Sequence, residues 1–348
     1  MNVFVAPKDE LSALINEQAN VLYQRLLSLP VDTISMPDFA KNYYRDRHIE
    51  RLYFSVQTAA IMLCDGIRMT GKHWKDVVVM EYGAGMGSLY LLTSMIGCKA
   101  VIYDDIEPRM MEGARSVAAF LDIKIDHFIC GDHHYAIEYM KQHQVQCDII
   151  LSRNVIEHIY DLDDFYGSMA AAQPQAILYF STTANYYNPL MRAFHYYVHR
   201  KFEKLYVPQR RKIIRDIFPE ISEADLSALS KATRGLAMQD LEKAVTAFRD
   251  HKILPDPSRF YTNTCDPESG MWQENLLKKS DYERIITSRG YTLIYRSAFW
   301  DTHYSGSFKN LISKGLNVVT RGLGPDKGVY TSPFVYIIAV PDKKAQAL

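Results

Sequence analysis

The chain has 348 residues, 48% hydrophobic and 23% charged, which is enough for a sizeable buried core in one enlarged domain or two. Lys plus Arg and Asp plus Glu balance at 40 each, which argues against a global electrostatic grip on nucleic acid and leaves only local patches open. No apolar run reaches the about 18 residues of a membrane helix, the first ten residues hold no signal-peptide core, and five scattered cysteines without a C-x-x-C pair fit reduced thiols in a cytoplasm, not a disulfide framework or Cys-based zinc site.

Residues 8–72 read as helical, with Leu11, Leu14, Ile15 and Leu22, then Ile49, Leu52, Tyr53 and Val56, at helical spacing. From Asp76 the pattern changes to short apolar runs alternating with helices at intervals of about 25 residues, the mark of an open α/β sheet. The predicted strands are 76–81, 100–103, 125–129, 147–151 and 176–180; the helices between them cover 88–96, 108–121, 136–142 and 161–172. Alternation stops over 185–278, where Leu226 and Leu229 and then Leu241, Val245 and Phe248 mark helices of an insertion. It resumes with a helix from Ser280, a strand at 291–295 and a last apolar run at 334–340. The predicted organisation is a helical cover (1–75), a core (76–184 and 279–341) and a helical insertion (185–278) over the acceptor region. The 24 tyrosines, several in adjacent pairs, admit two readings: packed rings with wet hydroxyls, or an aromatic-lined pocket.

The chemistry-bearing signal is Glu81-Tyr-Gly83-Ala84-Gly85-Met86-Gly87, between a strand and a helix. Glycines there let the backbone turn sharply and approach a ligand, and the helix start offers free N–H groups. The dinucleotide fingerprint G-x-G-x-x-G needs a third glycine where Ser88 stands. Asp104 and Asp105 end the second strand, about 20 residues on, where a carboxylate can accept ribose hydroxyls. Gly131-Asp132 ends the third. Acids at successive strand ends suit an ammonium, a ribose diol and an adenine amine, and would repel a pyrophosphate.

These motifs resemble those of class I S-adenosylmethionine-dependent methyltransferases, over roughly residues 75–185 and 278–341. Glu81-x-Gly83-x-Gly85-x-Gly87 is similar to the motif that holds the cofactor's methionine part. Asp105-Ile106-Glu107-Pro108 resembles the second motif and places the ribose carboxylate at Asp105. Gly131-Asp132, with His133 beside it, resembles the adenine-contacting motif, and Asp148–His158 resembles the fourth strand and its continuation in the small-molecule branch, with Arg153 and Asn154 at the cofactor. The resemblance implies a Rossmann-like, doubly wound, seven-stranded α/β sheet with the last strand antiparallel, and S-adenosyl-L-methionine as cofactor. Ser152-Arg153-Asn154-Val155 departs from the Asn/Asp-Pro-Pro-aromatic motif of base-amine methylation, and Arg153 fits an aminopropyl transferase poorly.

Methyl transfer from a sulfonium needs alignment above all, and a base only for a protonated nucleophile. His158 is the first choice for that base, with Glu157 and His133 nearby in the chain. His133-His134 could suggest a metal pair, but adjacent histidines on a loop are expected to diverge and no third ligand stands at suitable spacing, so no metal is expected. The basic stretch 192–215, with Arg210, Arg211 and Lys212, reads either as a solvated face or as a clamp for an anionic acceptor or an acidic membrane surface. Asn263–Asp266 and Trp272 offer hydrogen bonds and a stacking face suited to a sugar, or ordinary loop packing. The expected activity is methyl transfer to oxygen or nitrogen of a small molecule or glycan. A catalytically silent cofactor-binding scaffold and a nicotinamide oxidoreductase are the alternatives.

Overall fold

The apolar runs from residue 76 onward form strands because flanking helices cover both faces of a sheet. In the computed structural model, which describes residues 2–260 and 262–342, these are β1 (Val78–Tyr82), β2 (Ala100–Asp105), β3 (His127–Cys130), β4 (Ile149–Arg153), β5 (Ile177–Thr182), β6 (Tyr291–Ser297) and β7 (Val335–Pro341). They make one seven-stranded sheet in the order β3-β2-β1-β4-β5-β7-β6. β1 to β5 pair in parallel, and β7 runs antiparallel to both β5 and β6. This is the sheet implied by the resemblance to class I methyltransferases.

Successive strand residues point to opposite faces and so build two cores. Val79, Val101, Ile149, Leu151, Ile177 and Ile338 pack beneath α1 (Glu10–Leu27), α3 (Leu52–Thr70), α4 (Leu89–Met95) and α5 (Pro108–Phe120). Met80, Ile102, Ile150, Leu178, Phe180 and Ile337 pack beneath α6 (His133–Gln142), α7 (Leu162–Ala172) and α11 (Lys279–Thr287).

The N-terminal cover is not one helical run. α1 stops at Leu27, and residues 28–37, with Pro30 and Pro37, lead to the short α2 (Asp38–Tyr43). A π-helical turn at Tyr44–His48 and a 3₁₀ turn at Ile49–Arg51 then join α2 to α3. The third strand starts at His127 rather than at 125, and α6 starts at His133 because the Asp132 carboxylate accepts the Tyr135 N–H and caps it there. A further helix, α12 (Ser307–Lys327, kinked at Gly324), fills the stretch between β6 and β7 that the sequence reading left without an element.

Between β5 and α11 the chain forms α8 (Pro189–Ile217), α9 (Glu223–Ala232) and α10 (Met238–His251), whose apolar side chains make a third core around Ile214, Leu226, Leu229, Leu241, Val245 and Phe248. This core changes the reading of the basic stretch. Arg210 is wholly buried, its guanidinium donating to the Glu203 carboxylate and to the Ser230 and Arg234 carbonyls. Arg211 and Arg215 pair with Glu223, and Lys212 with Asp216. Of the readings offered for this stretch, the pairing at 210–212 speaks against the anionic clamp: these cations are matched within the insertion.

Removing a buried partner strands the rest of its network. Arg210→Ala is expected to lower stability by about 3–5 kcal/mol in urea unfolding monitored on the full chain. Lys212→Ala, at an exposed pair, is expected to leave the midpoint where it was.

Candidate functional site

The parallel strands end along one edge, where the order reverses between β1 and β4, the place where such sheets form a crevice. There β1 runs into the glycine turn, and each glycine has its own reason. Gly83 holds φ +65°, and a Cβ there would lie 2.4 Å from a Val155 methyl. Gly85 holds φ +53°, and a Cβ would meet only the Asp105 carboxylate, at 4.0 Å. At Gly87 a Cβ would lie 2.8 Å from both the Ala84 carbonyl and the Arg153 guanidinium.

Carboxylates brace this turn from two strands. Asp105 Oδ2 accepts the Gly85 N–H at 2.7 Å and Oδ1 the Glu107 N–H at 2.9 Å. Glu81 Oε2 accepts the Tyr90 N–H in the first turn of α4 at 2.7 Å, and Oε1 stands 3.7 Å from the Arg153 guanidinium. Burial raises the Glu81 carboxyl to about 7 despite the opposing pull of Arg153. It raises Asp105 as well, and holds Asp104 well above the usual carboxylate range, with the Asp105 charge adding to the effect. Asp104 itself faces inward, 1% exposed.

Above the turn lies a cavity of about 830 Å³. Of the residues singled out from sequence, it brings together Glu81, Gly83, Ala84, Gly85, Gly87, Asp105, Arg153 and Asn154. Asn154, at φ +56°, is turned by its own N–H bond to the Ser181 carbonyl. The others do not line the cavity, each for a local reason. Met86 is buried against Gly113 of α5, and Ile106 is 72% exposed. Asp132 is spent on capping α6, and His133 Nε2 meets Asp164 at 2.9 Å. His158, the expected base, has Nδ1 on the Trp272 carbonyl at 2.8 Å. Glu157 is fully buried.

One further expectation is corrected, and of the two readings of the 263–272 loop the structure has ordinary packing. His133 and His134 do not diverge: their rings lie 4.1 Å apart, and both Nε2 atoms reach Asp164 Oδ2, at 2.9 and 2.8 Å, so a third group does stand beside the pair. The carboxylate arrives from α7, which no chain spacing could reveal. Asn263, Thr264, Cys265 and Trp272 are buried in the insertion, the first two bonded to Asn275 and Glu203, so this loop presents no stacking face.

Among the described residues, the insertion gives the cavity only Met191 and Met271. Its walls come instead from elements whose role the sequence did not disclose. Phe39, Tyr43, Arg47, His48, Arg51 and Phe54 descend from the N-terminal cover, and Trp300, Asp301 and Tyr304 from the segment after β6. Arg51 pairs with Asp301 at 3.2 Å and lies over the Phe54 and Tyr304 rings, 4.9 and 5.3 Å from their centres. Arg47 has no hydrogen bond or ion pair among the described residues. His48 sits at the end of the π-helical turn, 7% exposed, with its Nε2 unpartnered. Burial, and secondarily the Arg153 charge, push its imidazole down to about 3.

No protein-family model matches the chain, and no curated protein does. Solved structures do. One similar chain is a SAM-dependent methyltransferase from Agrobacterium tumefaciens (13% identity, 39% of this chain and 46% of that one, TM-score 0.31). Another is the magnesium protoporphyrin IX methyltransferase from Synechocystis with bound SAH (12%, 93% and 99%, 0.40). A third is the plantazolicin methyltransferase in complex with SAH (14%, 95% and 98%, 0.39). The chain spans 34–60% of the length of the first structures it matches. These are remote likenesses, and the fold is read from the strand order and the antiparallel β7.

The buried, neutral His48 generates a pH dependence of known sign. An unfolded histidine takes up its proton near its ordinary 6.5 and the folded one only near 3, so stability falls as pH drops through that window. The melting-temperature difference between wild type and His48→Gln is expected to shift against the wild type between pH 6.5 and 4, as read by calorimetry.

Proposed function

We propose that this chain is an S-adenosylmethionine-dependent methyltransferase whose acceptor is a small anionic molecule with a flat apolar part. The observation that carries the reading is the floor of the cavity: a glycine turn whose Gly85 N–H is held by a carboxylate, Asp105, from the neighbouring strand.

The residues present fit such a cofactor. A Cβ at Gly85 would meet nothing but Asp105, so the space above the turn is open to a ligand. Each Asp105 oxygen spends one lone pair on a backbone amide and keeps another for a ribose hydroxyl. Glu81 and Arg153 together offer a carboxyl group and a cation to the two ends of an amino acid. The carboxyls of Glu81 and Asp105 would repel a pyrophosphate, and Ser88 is wholly buried with its hydroxyl 3.0 Å from Ser55, both of which speak against the nicotinamide alternative. A volume of about 830 Å³ is within the range of pockets that enclose most of a ligand's surface.

When bound, the sulfonium supplies a methyl group by in-line displacement and leaves as a neutral thioether. The chain's own task is alignment and exclusion of water. Aromatic and methionine side chains line the cavity, and Arg47, with no ion pair among the described residues, brings a cation to its wall beside the matched Arg51–Asp301 pair, which favours an acceptor carrying negative charge. His48, neutral and with an unpartnered Nε2, lines the same wall, but burial and the Arg153 charge make it too weakly basic to take a proton from an acceptor hydroxyl, so its role there is to orient by a hydrogen bond.

Calorimetry with S-adenosylhomocysteine and, separately, NAD tests the cofactor: binding of the first alone is expected, and binding of NAD alone would reverse the assignment. Asp105→Ala is expected to weaken S-adenosylhomocysteine by about 1–3 kcal/mol, the scale of lost charge-assisted hydrogen bonds. With an acceptor in hand from a mass-spectrometric screen for gain of one CH₂, Arg47→Ala is expected to raise the acceptor KM and leave cofactor affinity unchanged. Cofactor binding without turnover on any acceptor would favour the silent scaffold.

A further inference from the structure

The most unusual surface of the molecule lies on α12. An amphipathic helix normally turns its apolar stripe inward. Here the arrangement is inverted. Ser313 and Thr320 are buried against the body of the protein, and Asn310 and Asn317 bond to its backbone. The opposite face carries Phe308, Leu311, Ile312, Val318, Val319 and Leu323, with exposures of 73, 68, 47, 63, 49 and 42%. Contiguous apolar surface of this kind on a chain in water marks an interaction site.

Charge says what covers it. From Ser307 to Pro325 the helix has no acidic residue, while Lys309, Lys314 and Arg321 are exposed. At about 100° per residue, Lys309 falls on one border of the apolar arc and Lys314 and Arg321 on the other. Apolar side chains flanked on both sides by cations complement a sheet of anionic headgroups over hydrocarbon. No helix of the described residues is long and apolar enough to cross a membrane, so the fit is to lying on one. The start of α8 adjoins this region: Asn185 and Asn188 donate to carbonyls of Val329 and Ser332, just after α12, and α8 exposes Leu190, Phe194 and Tyr197.

We propose that the outer face of α12 docks the protein on an anionic lipid bilayer, with the apolar arc entering the acyl boundary and the flanking cations meeting the headgroups. Basic residues at 192–215 raised the prospect of such contact, and α12 places its centre elsewhere on the chain.

The test is co-sedimentation of the full chain with vesicles of phosphatidylcholine alone or with added phosphatidylglycerol, at low and high salt. Pelleting with the anionic vesicles, weakened by salt, is expected, with little on phosphatidylcholine alone. Phe308→Ser with Leu311→Ser, and separately Lys309→Glu with Lys314→Glu, are expected to lower the partition coefficient at least ten-fold at an unchanged melting temperature, because all four side chains are exposed. Absence of pelleting on anionic vesicles, or variants that pellet like wild type, would overturn the proposal. So would a lipid-free dimer, seen by light scattering, that the Phe308→Ser, Leu311→Ser variant dissociates, since the face would then belong to a second copy of the chain.

Discussion

The buried ion contact between Glu81 and Arg153 is the joint on which the crevice depends. Glu81, near the end of β1, holds the first turn of α4 through the Tyr90 amide and faces the guanidinium at the end of β4. Arg153 in turn donates to the Ser55 carbonyl and hydroxyl on α3. One carboxylate thereby ties two central strands, the helix after the glycine turn and the N-terminal cover. Gly87 belongs to the same joint, because any side chain there would push into the guanidinium. In an interior of low dielectric such a contact is strong only while each member is matched. The Arg153 Nε is buried without a hydrogen-bond partner, so one donor of that joint is left unmatched.

Charges in the cavity are largely paired. Glu81 faces Arg153 on the floor and Arg51 meets Asp301 on the wall, while Arg47, from the N-terminal cover, has no ion pair among the described residues. The helical insertion, which chain position made the natural candidate for the acceptor wall, has a core of its own, and its most deeply placed arginine is a structural cross-link between α8, α9 and the loop at Thr264.

The strands, the glycine turn and the acids Glu81 and Asp105 were legible in the sequence because each is written locally: a short apolar run, then glycines, then a carboxylate at the next strand end; the sheet as a whole came from the resemblance. Arg153 and Asn154 came from the resemblance of 148–158 to the family's fourth strand. What escaped depends on contacts distant in the chain. His48 lines the cavity only because a π-helical turn re-aims it, and His158 is diverted by a carbonyl at Trp272. Arg210 looks solvated until Glu203 and two carbonyls further along the chain close on it. α12 has helical periodicity, but a period carries no sign: it cannot say which face meets the protein.

Two asparagines on α12 grip the cavity rim. Asn317 accepts the Trp300 N–H at 2.7 Å and donates to its carbonyl at 2.8 Å, and Asn310 does the same for Tyr304, both at 2.8 Å. A side-chain amide that satisfies both backbone groups of one residue fixes that residue's height and tilt, so the rim moves as one piece with the helix. Whatever restrains α12 from outside thus restricts the postures open to Trp300 and Tyr304, and thermodynamic reciprocity requires that a molecule settling between those rings alter the helix's outward affinity by the same factor.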